Sequence, residues 1–303
     1  MGVNEVLTKA GNSKATPIPQ VFRQGRMRSL STSGFHEIAY TDWGPPESES
    51  TIVCVHGLTR QGRDFDRLAG ALAAQGHRVI CPDLPGRGAS QWLRNSMDYA
   101  FPQYCVDLSA LIGGLSGRIS WVGTSLGGLI GMALTGSEAS PISRLVLNDI
   151  APTTPFDAAA RVGMRCAAMP SAFGSLEEAE SYYRRAFVTC GPMDDQQWRD
   201  FVLHSLRYDE NTGLYRSRMD PKVATAFTWL WYYQIPLWSY FRKIRAPVLS
   251  IRGELSDFVP RHLVRDMRRC LPELATHEVP GAGHMPMLMS PGEIEAISSF
   301  LAI

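Results

Sequence analysis

The chain has 303 residues, a formal net charge of +1 and 45% hydrophobic residues. Global disorder is excluded, because it requires low hydrophobicity and high net charge. The balanced charge argues against nucleic acid binding through a positive field. No apolar run of about 18 residues exists, so we expect no membrane insertion. The N-terminal residues also lack the apolar segment of a signal peptide, which predicts a cytoplasmic protein.

Residues 1–25 are polar and predict a flexible N-terminal arm. Beyond them, short apolar runs alternate with segments of helical spacing. The predicted strands are 27–31, 35–42, 51–55, 78–81, 119–122, 144–148, 248–251 and 276–279. The predicted helices between and after them are 64–75, 104–112, 126–134, 261–270 and 294–301. This alternation is typical of a parallel sheet with helices on both faces, an α/β fold.

The alternation is interrupted once, between residues 151 and 242, where the sequence predicts helices only. Ser175 and Asp194 are predicted N-caps of two of these helices. Residues 227–241 contain eight aromatic side chains. We interpret residues 151–242 as a helical cap inserted into a core formed by residues 26–150 and 243–303.

The most specific motif is a G-x-S-x-G sequence, Gly123 to Gly127, between a predicted strand and a predicted helix. Glycines flank the serine because a Cβ atom would clash in so sharp a turn. The turn exposes the serine hydroxyl, and the N-terminus of the following helix favours developing negative charge. The sequence therefore predicts Ser125 as a nucleophile.

A serine hydroxyl needs a general base. Of the seven histidines, His284 follows the last predicted strand, at the sheet edge where ligands bind in open α/β folds. We predict His284 as the base. Asp257 follows the strand 248–251 and gives the chain order serine, aspartate, histidine, so we predict it as the acid that orients the histidine. Glu254 and Asp149 remain alternatives.

A tetrahedral intermediate needs two hydrogen-bond donors for its oxyanion. The backbone N–H of Leu126, directly after the predicted nucleophile, is one candidate. The backbone N–H of Leu58, in the loop after the strand 51–55, is the other. Gly57 lets this loop approach a substrate closely, and His56 is interpreted as a structural hydrogen-bonding residue.

Six segments occur in an order that resembles the α/β-hydrolase superfamily, namely CVHGLT, CPDLPGRGAS, VGTSLGG, LVLNDIAP, IRGELSDFVP and GAGHMP. The resemblance covers roughly residues 35–303 and is strongest to single-domain serine hydrolases with a cap. It implies an α/β-hydrolase fold with a mostly parallel eight-stranded sheet and a helical cap inserted after Asp149. It also implies the site residues Ser125, Asp257, His284, Leu58 and Leu126 in the roles given above.

The predicted function is hydrolysis of a small ester-like substrate through an acyl-enzyme. Hydrolysis of a C–C bond, an amide or a lactone remains an alternative, as does a non-catalytic ligand-binding protein. Ser125 argues against haloalkane dehalogenases and the related epoxide hydrolases, which carry an aspartate at the nucleophile position. Cap arginines are candidates for binding a substrate carboxylate, namely Arg161, Arg165, Arg184, Arg185 and Arg207.

We expect no cofactor and no metal, because the sequence contains no P-loop, no dinucleotide-binding fingerprint and no paired cysteine motif. The six cysteines are interpreted as reduced thiols. The expected partner is a small-molecule substrate, and the sequence gives no prediction of the oligomeric state.

Overall fold

The computed structural model of the protein describes residues 22–226 and 237–302. Within these residues eleven strands are assigned, β1 (Phe22–Ser31), β2 (Gly34–Trp43), β3 (Ser50–Val55), β4 (Arg78–Pro82), β5 (Arg118–Thr124), β6 (Ile142–Asn148), β7 (Ala172–Phe173), β8 (Leu206–Asp209), β9 (Leu214–Ser217), β10 (Val248–Gly253) and β11 (Ala275–Val279). Eight of them form one sheet in the order β1-β2-β4-β3-β5-β6-β10-β11. Neighbouring strands from β4 through β3, β5, β6 and β10 to β11 pair in parallel. The pairs β1–β2 and β2–β4 are antiparallel.

The described helices are α1 (Asp66–Ala74), α2 (Phe101–Gly113), α3 (Leu126–Thr135), α4 (Phe156–Ala167), α5 (Leu176–Ala186), α6 (Asp195–Ser205), α7 (Lys222–Ala226), α8 (Leu237–Phe241), α9 (Arg261–Cys270) and α10 (Pro291–Ala302). None of these helices combines the length and the apolar character that crossing a bilayer requires.

The central strands are buried on both faces. In β3, Val53 and Val55 belong to one hydrophobic cluster, while Ile52 and Cys54 belong to another on the opposite face. Residues of α2, α3 and α9 join the first cluster, and residues of α1 and α10 join the second. Short β-branched runs suit such strands because both faces are covered by helices. The predicted α/β-hydrolase fold is thus confirmed.

The N-terminal boundary differs from the prediction of an arm over residues 1–25. Strand β1 already begins at Phe22, which pairs with Trp43 of β2 and places its ring 4.8 Å from the indole ring. The polar residues that follow Phe22 belong to the strand because their backbone continues this pairing with β2. Residues 1–21 lie outside the described residues.

The segment 151–242, called the insertion below, lies between β6 and β10. It contains a three-stranded antiparallel sheet in the order β7-β9-β8, so the prediction of helices only was wrong. A tight turn at Gly213, whose φ is +67°, joins β8 to β9. The predicted caps are confirmed, because the side chains of Ser175 and Asp194 accept hydrogen bonds from the N–H groups of Glu178 and Gln197.

Of the predicted aromatic stretch, only the part in α8 is described, namely Trp238, Tyr240 and Phe241. The other aromatic positions of this stretch, which run from residue 227 to residue 233, lie outside the described residues.

Candidate active site

Ser125 occupies a sharp turn between β5 and α3. Its backbone has φ +51° and ψ −114°, which is unusual for a residue with a side chain. The turn is tight, because a Cβ atom on Gly127 would lie 2.1 Å from the carbonyl oxygen of Val55, and one on Gly123 would lie 2.4 Å from that of Gly127. The flanking glycines are therefore required by sterics.

His284 lies in the loop after β11, and its Nδ1 atom is 2.9 Å from Oδ2 of Asp149. Asp149 directly follows β6 and is 0% exposed, while His284 is 8% exposed. A carboxylate can only accept, so Nδ1 carries the proton of a neutral ring and Nε2 keeps a free lone pair. The pair therefore has the geometry of a general base and its orienting acid.

Asp257, the residue predicted to orient the histidine, is not at His284. Its carboxylate forms an ion pair with Arg161 of α4, and both side chains are about half exposed, at 51% and 54%. The third candidate, Glu254, accepts a hydrogen bond from the N–H of Gly281. The loop after β10 directs Asp257 toward the insertion, so the predicted contact of Asp257 with His284 was wrong. Among the candidates, Asp149 makes that contact.

The loop after β10 still contributes to the site, through residues that the sequence analysis did not single out. The N–H of Gly253 donates to Oδ1 of Asp149 at 2.9 Å, and the hydroxyl of Ser256 donates to Oδ2 at 2.7 Å. The ring of Phe258 stacks on the imidazole of His284, with centroids 3.5 Å apart and an angle of 12° between the planes. These contacts hold both members of the pair.

Asn148, the last residue of β6, connects the serine turn to the histidine loop. Its carbonyl accepts a hydrogen bond from the N–H of Ser125 at 3.1 Å. Its side-chain amide donates to Oγ1 of Thr124 at 3.0 Å and to the carbonyl of Pro286 at 2.7 Å. The end of β6 therefore positions Ser125 and His284 relative to each other, since Asn148 contacts both loops.

The loop after β3 lies against Ser125, since a Cβ atom on Gly57 would be 3.5 Å from the Cβ of Ser125. The carbonyl of Gly57 accepts hydrogen bonds from Nδ1 of His56 at 2.7 Å and from the N–H of Arg60 at 3.2 Å. This carbonyl belongs to the same peptide group as the N–H of Leu58. Its two donors therefore fix the direction of the predicted oxyanion donor.

His56 is held in one tautomer, because its Nε2 atom accepts a hydrogen bond from the N–H of Leu84 at 2.9 Å. Burial lowers the pKa of His56 to about 3, so the ring is neutral at pH 7. Within the described residues, the backbone N–H groups of Leu58 and Leu126 have no hydrogen-bond acceptor. Neither N–H group is therefore used within the described protein, which the prediction of oxyanion donors requires.

Backbone strain is concentrated at the candidate active site. Of the five non-glycine residues with positive φ in the described part of the chain, three are Ser125, Asp149 and Met285. Such conformations cost about 1–3 kcal/mol each and persist only where the surroundings enforce them. Their clustering at one edge of the sheet is typical of a functional site.

The insertion packs against the same edge. The N–H of Gly283, next to the histidine, donates to the carbonyl of Thr189 at 2.7 Å. The buried guanidinium of Arg60 hydrogen-bonds the hydroxyl of Ser205 and lies 3.3 Å from the ring centroid of Phe201. The insertion therefore contacts both the histidine loop and the Leu58 loop.

The comparisons with known proteins agree with this architecture. Residues 52–297 match the model of the alpha/beta hydrolase family. The chain is 37% identical to a 3-hydroxybutyrate-oligomer hydrolase from Cupriavidus necator, over 92% of this chain and 97% of that protein. It is 27% identical to an sn-1-specific diacylglycerol lipase from Mus musculus, over 83% and 80% of the two chains. An alpha/beta hydrolase structure from Novosphingobium aromaticivorans superposes with a TM-score of 0.81 and 28% identity, covering 93% of this chain and 98% of that one.

Proposed function

Because the chain belongs to the alpha/beta hydrolase family, we propose that it is a serine esterase whose triad is Ser125, His284 and Asp149. The observation that carries the proposal is the hydrogen bond between Nδ1 of His284 and the buried carboxylate of Asp149, beside the strained turn at Ser125. This pair leaves Nε2 of the histidine to act as the base.

In the proposed mechanism, Nε2 of His284 takes the proton of Ser125 as Oγ attacks the ester carbonyl. The N–H groups of Leu58 and Leu126 stabilise the oxyanion. The imidazolium, stabilised by Asp149, then protonates the leaving alcohol. A water molecule activated by the same histidine attacks the acyl-enzyme, releasing the acid and restoring the serine.

We further propose that the substrate is a short oligoester of a hydroxy acid. The support is the 37% identity, along nearly the whole of both chains, to a protein named for hydrolysis of 3-hydroxybutyrate oligomers. The same catalytic steps apply to each ester bond of such an oligomer, and each cleavage yields a carboxylate and an alcohol.

The test compares initial rates of wild type and Ser125→Ala on p-nitrophenyl butyrate and on the dimer and trimer of 3-hydroxybutyrate. We expect the variant to lose at least about a thousandfold in kcat, because the nucleophile is gone. Urea unfolding of both proteins controls for misfolding. An unchanged rate in the variant would exclude the serine mechanism, and inactivity of wild type on every ester would shift the assignment to C–C, amide or lactone substrates.

The acid is tested by comparing Asp149→Asn with Asp257→Asn. We expect Asp149→Asn to lower kcat by about 10⁴-fold, because the amide can no longer stabilise the imidazolium. Asp257→Asn breaks an exposed ion pair with Arg161, for which about 0–1 kcal/mol is typical, so its kcat should stay within a few-fold of wild type. A large loss in Asp257→Asn with an active Asp149→Asn would overturn the triad proposed here.

A further inference from the structure

A cavity lies beside the proposed active site, between the β1–β2 hairpin and the insertion. It has a volume of about 170 Å³. Its walls include Arg26 and Tyr40 of the hairpin, Leu203 and His204 of α6, and Arg218 just after β9. One water requires only about 10–15 Å³ on this measure, so an organic molecule of several heavy atoms fits. We call this cavity the edge cleft.

The edge cleft is lined by three arginines and one carboxylate, that of Asp83. Two of the arginines have acidic partners, since Arg26 pairs with Glu37 and Arg63 pairs with Asp66. His204 adds no charge at pH 7, because burial and nearby arginines lower its pKa to about 4. Once these pairs are counted, the lining keeps one arginine without a direct ion-pair partner in the described part of the chain, Arg218, and one carboxylate, Asp83, whose oxygens accept from the N–H groups of Gly62 and Ala89.

Arg218 is the arginine of the lining that forms no ion pair among the described residues. Its Nε atom donates to the carbonyl of Leu206 at 2.9 Å, and its terminal nitrogens have no acceptor among the described residues. Burial lowers the pKa of Arg218, and the positive charges of Arg207 and Arg63 lower it further. The negative charge of Asp83 acts in the opposite direction. The terminal donors of this half-buried guanidinium are therefore open to an outside acceptor, and a planar oxyanion can accept two hydrogen bonds from them.

We propose that the edge cleft binds a small carboxylate anion through the terminal nitrogens of Arg218. The choice of a carboxylate rests on the proposed function, because ester hydrolysis releases one. The cleft lies beside the oxyanion loop, since Gln61, three residues after Leu58, is also part of its wall. The apolar surface of Leu203 suits the aliphatic part of a short hydroxy acid.

The test measures binding of sodium 3-hydroxybutyrate by isothermal titration calorimetry to protein whose active-site serine has been blocked with phenylmethylsulfonyl fluoride. Blocking the serine removes the contribution of the catalytic pocket. Arg218→Gln is compared with Arg216→Gln, which neutralises an arginine of β9 that pairs with Asp209 and does not line the cleft. The uncharged diol 1,3-butanediol and inorganic phosphate serve as further probes.

We expect saturable binding to wild type and to Arg216→Gln, and affinity at least about tenfold weaker in Arg218→Gln, since a charge-assisted hydrogen-bond partner is lost. Butanediol should not bind. Equal binding to all three proteins, or binding of phosphate without 3-hydroxybutyrate, would overturn the proposal. Failure of phenylmethylsulfonyl fluoride to label Ser125 would count against the proposed esterase only, because titration of the unlabelled proteins still tests the dependence on Arg218.

Discussion

The carboxylate of Asp149 is buried and accepts hydrogen bonds from three groups, the N–H of Gly253, the hydroxyl of Ser256 and the imidazole of His284. A buried carboxylate is tolerated only when it is hydrogen-bonded in this way. The same contacts prevent it from rotating. Ser256 and the stacked ring of Phe258 are therefore positioning residues for the pair, although neither has a chemical role in the reaction.

Replacing Ser256 with alanine tests this role. The loss of a hydrogen bond to a charged group, worth about 1.5–3 kcal/mol, should lower kcat by roughly tenfold to a hundredfold. With one donor fewer, Asp149 is held less firmly against Nδ1 of His284, so the loss should fall on kcat and not on KM. Both constants are measured on p-nitrophenyl butyrate.

Ser250→Ala is the matched control, because this hydroxyl is also buried on β10 but has no hydrogen-bond partner among the described residues. Its kcat and KM should coincide with those of wild type. If Ser256→Ala merely reduced the amount of folded protein, kcat per folded molecule would stay at the wild-type value, and the positioning role would be refuted.

At this scale the sequence was informative where a motif fixes the backbone. The glycines around Ser125 and the position of His284 after the last strand led to residues that the structure brings to one edge of the sheet. The acid could not be chosen in this way, because β6 and β10 are neighbours and both are followed by acidic residues. Only the path of the loop that contains Ser256 and Asp257 decides which carboxylate faces the histidine.

At the scale of elements, the unit formed by β5, the Ser125 turn and α3 depends on close backbone approach. Gly127 lies in the first turn of α3, where no side chain fits against the carbonyl of Val55. Gly113, the last residue of α2, has open space around its Cα instead, with no atom within 4 Å of an added Cβ. Replacement by alanine is therefore expected to have opposite effects on stability at these two glycines.

Gly127→Ala should destabilise the protein by roughly 1–3 kcal/mol or more, because the neighbouring backbone must shift. The N–H of Leu126 should move with it, so the ester rate should fall as well. Gly113→Ala should stabilise the protein by up to about 1 kcal/mol through the unfolded state, with unchanged activity. Urea unfolding and the rate on p-nitrophenyl butyrate measure both effects, and coinciding unfolding curves of the two variants would disprove the steric argument.

The sequence pattern predicted the central strands of the large sheet but not the strands of the small one. The central strands were predictable because their β-branched runs reflect burial on both faces. The strands β8 and β9 were not, because most of their side chains are exposed or half-buried and the hairpin has little hydrophobic signal. Their position is determined by packing of the insertion on the core, which a local pattern does not record.

At the scale of the whole molecule, buried titratable groups link stability to pH. Burial lowers the pKa of His204 to about 4 and that of His56 to about 3, whereas burial raises the pKa of Asp83 to about 6. Each histidine binds its proton more weakly when folded, so it contributes stability above pH 6.5 that is lost as the pH falls. Asp83 binds its proton more strongly when folded, so it adds stability as the pH falls from about 6 to 4.

The opposite effects of pH on stability that we expect from His204 and Asp83 can be separated with two variants. Between pH 7.5 and 5.0, His204→Gln should lose less stability than wild type, because it no longer has a histidine that must stay neutral in the folded state. Asp83→Asn should lose more stability than wild type, because the stabilising protonation is gone. Urea midpoints at the two pH values measure how much stability each protein loses. The contributions of all other titrating groups cancel when a variant is compared with wild type. Equal pH dependence in the three proteins would show that neither side chain changes its pKa on folding. The opposite pKa shifts of the two side chains therefore require that the two variants deviate from wild type in opposite directions.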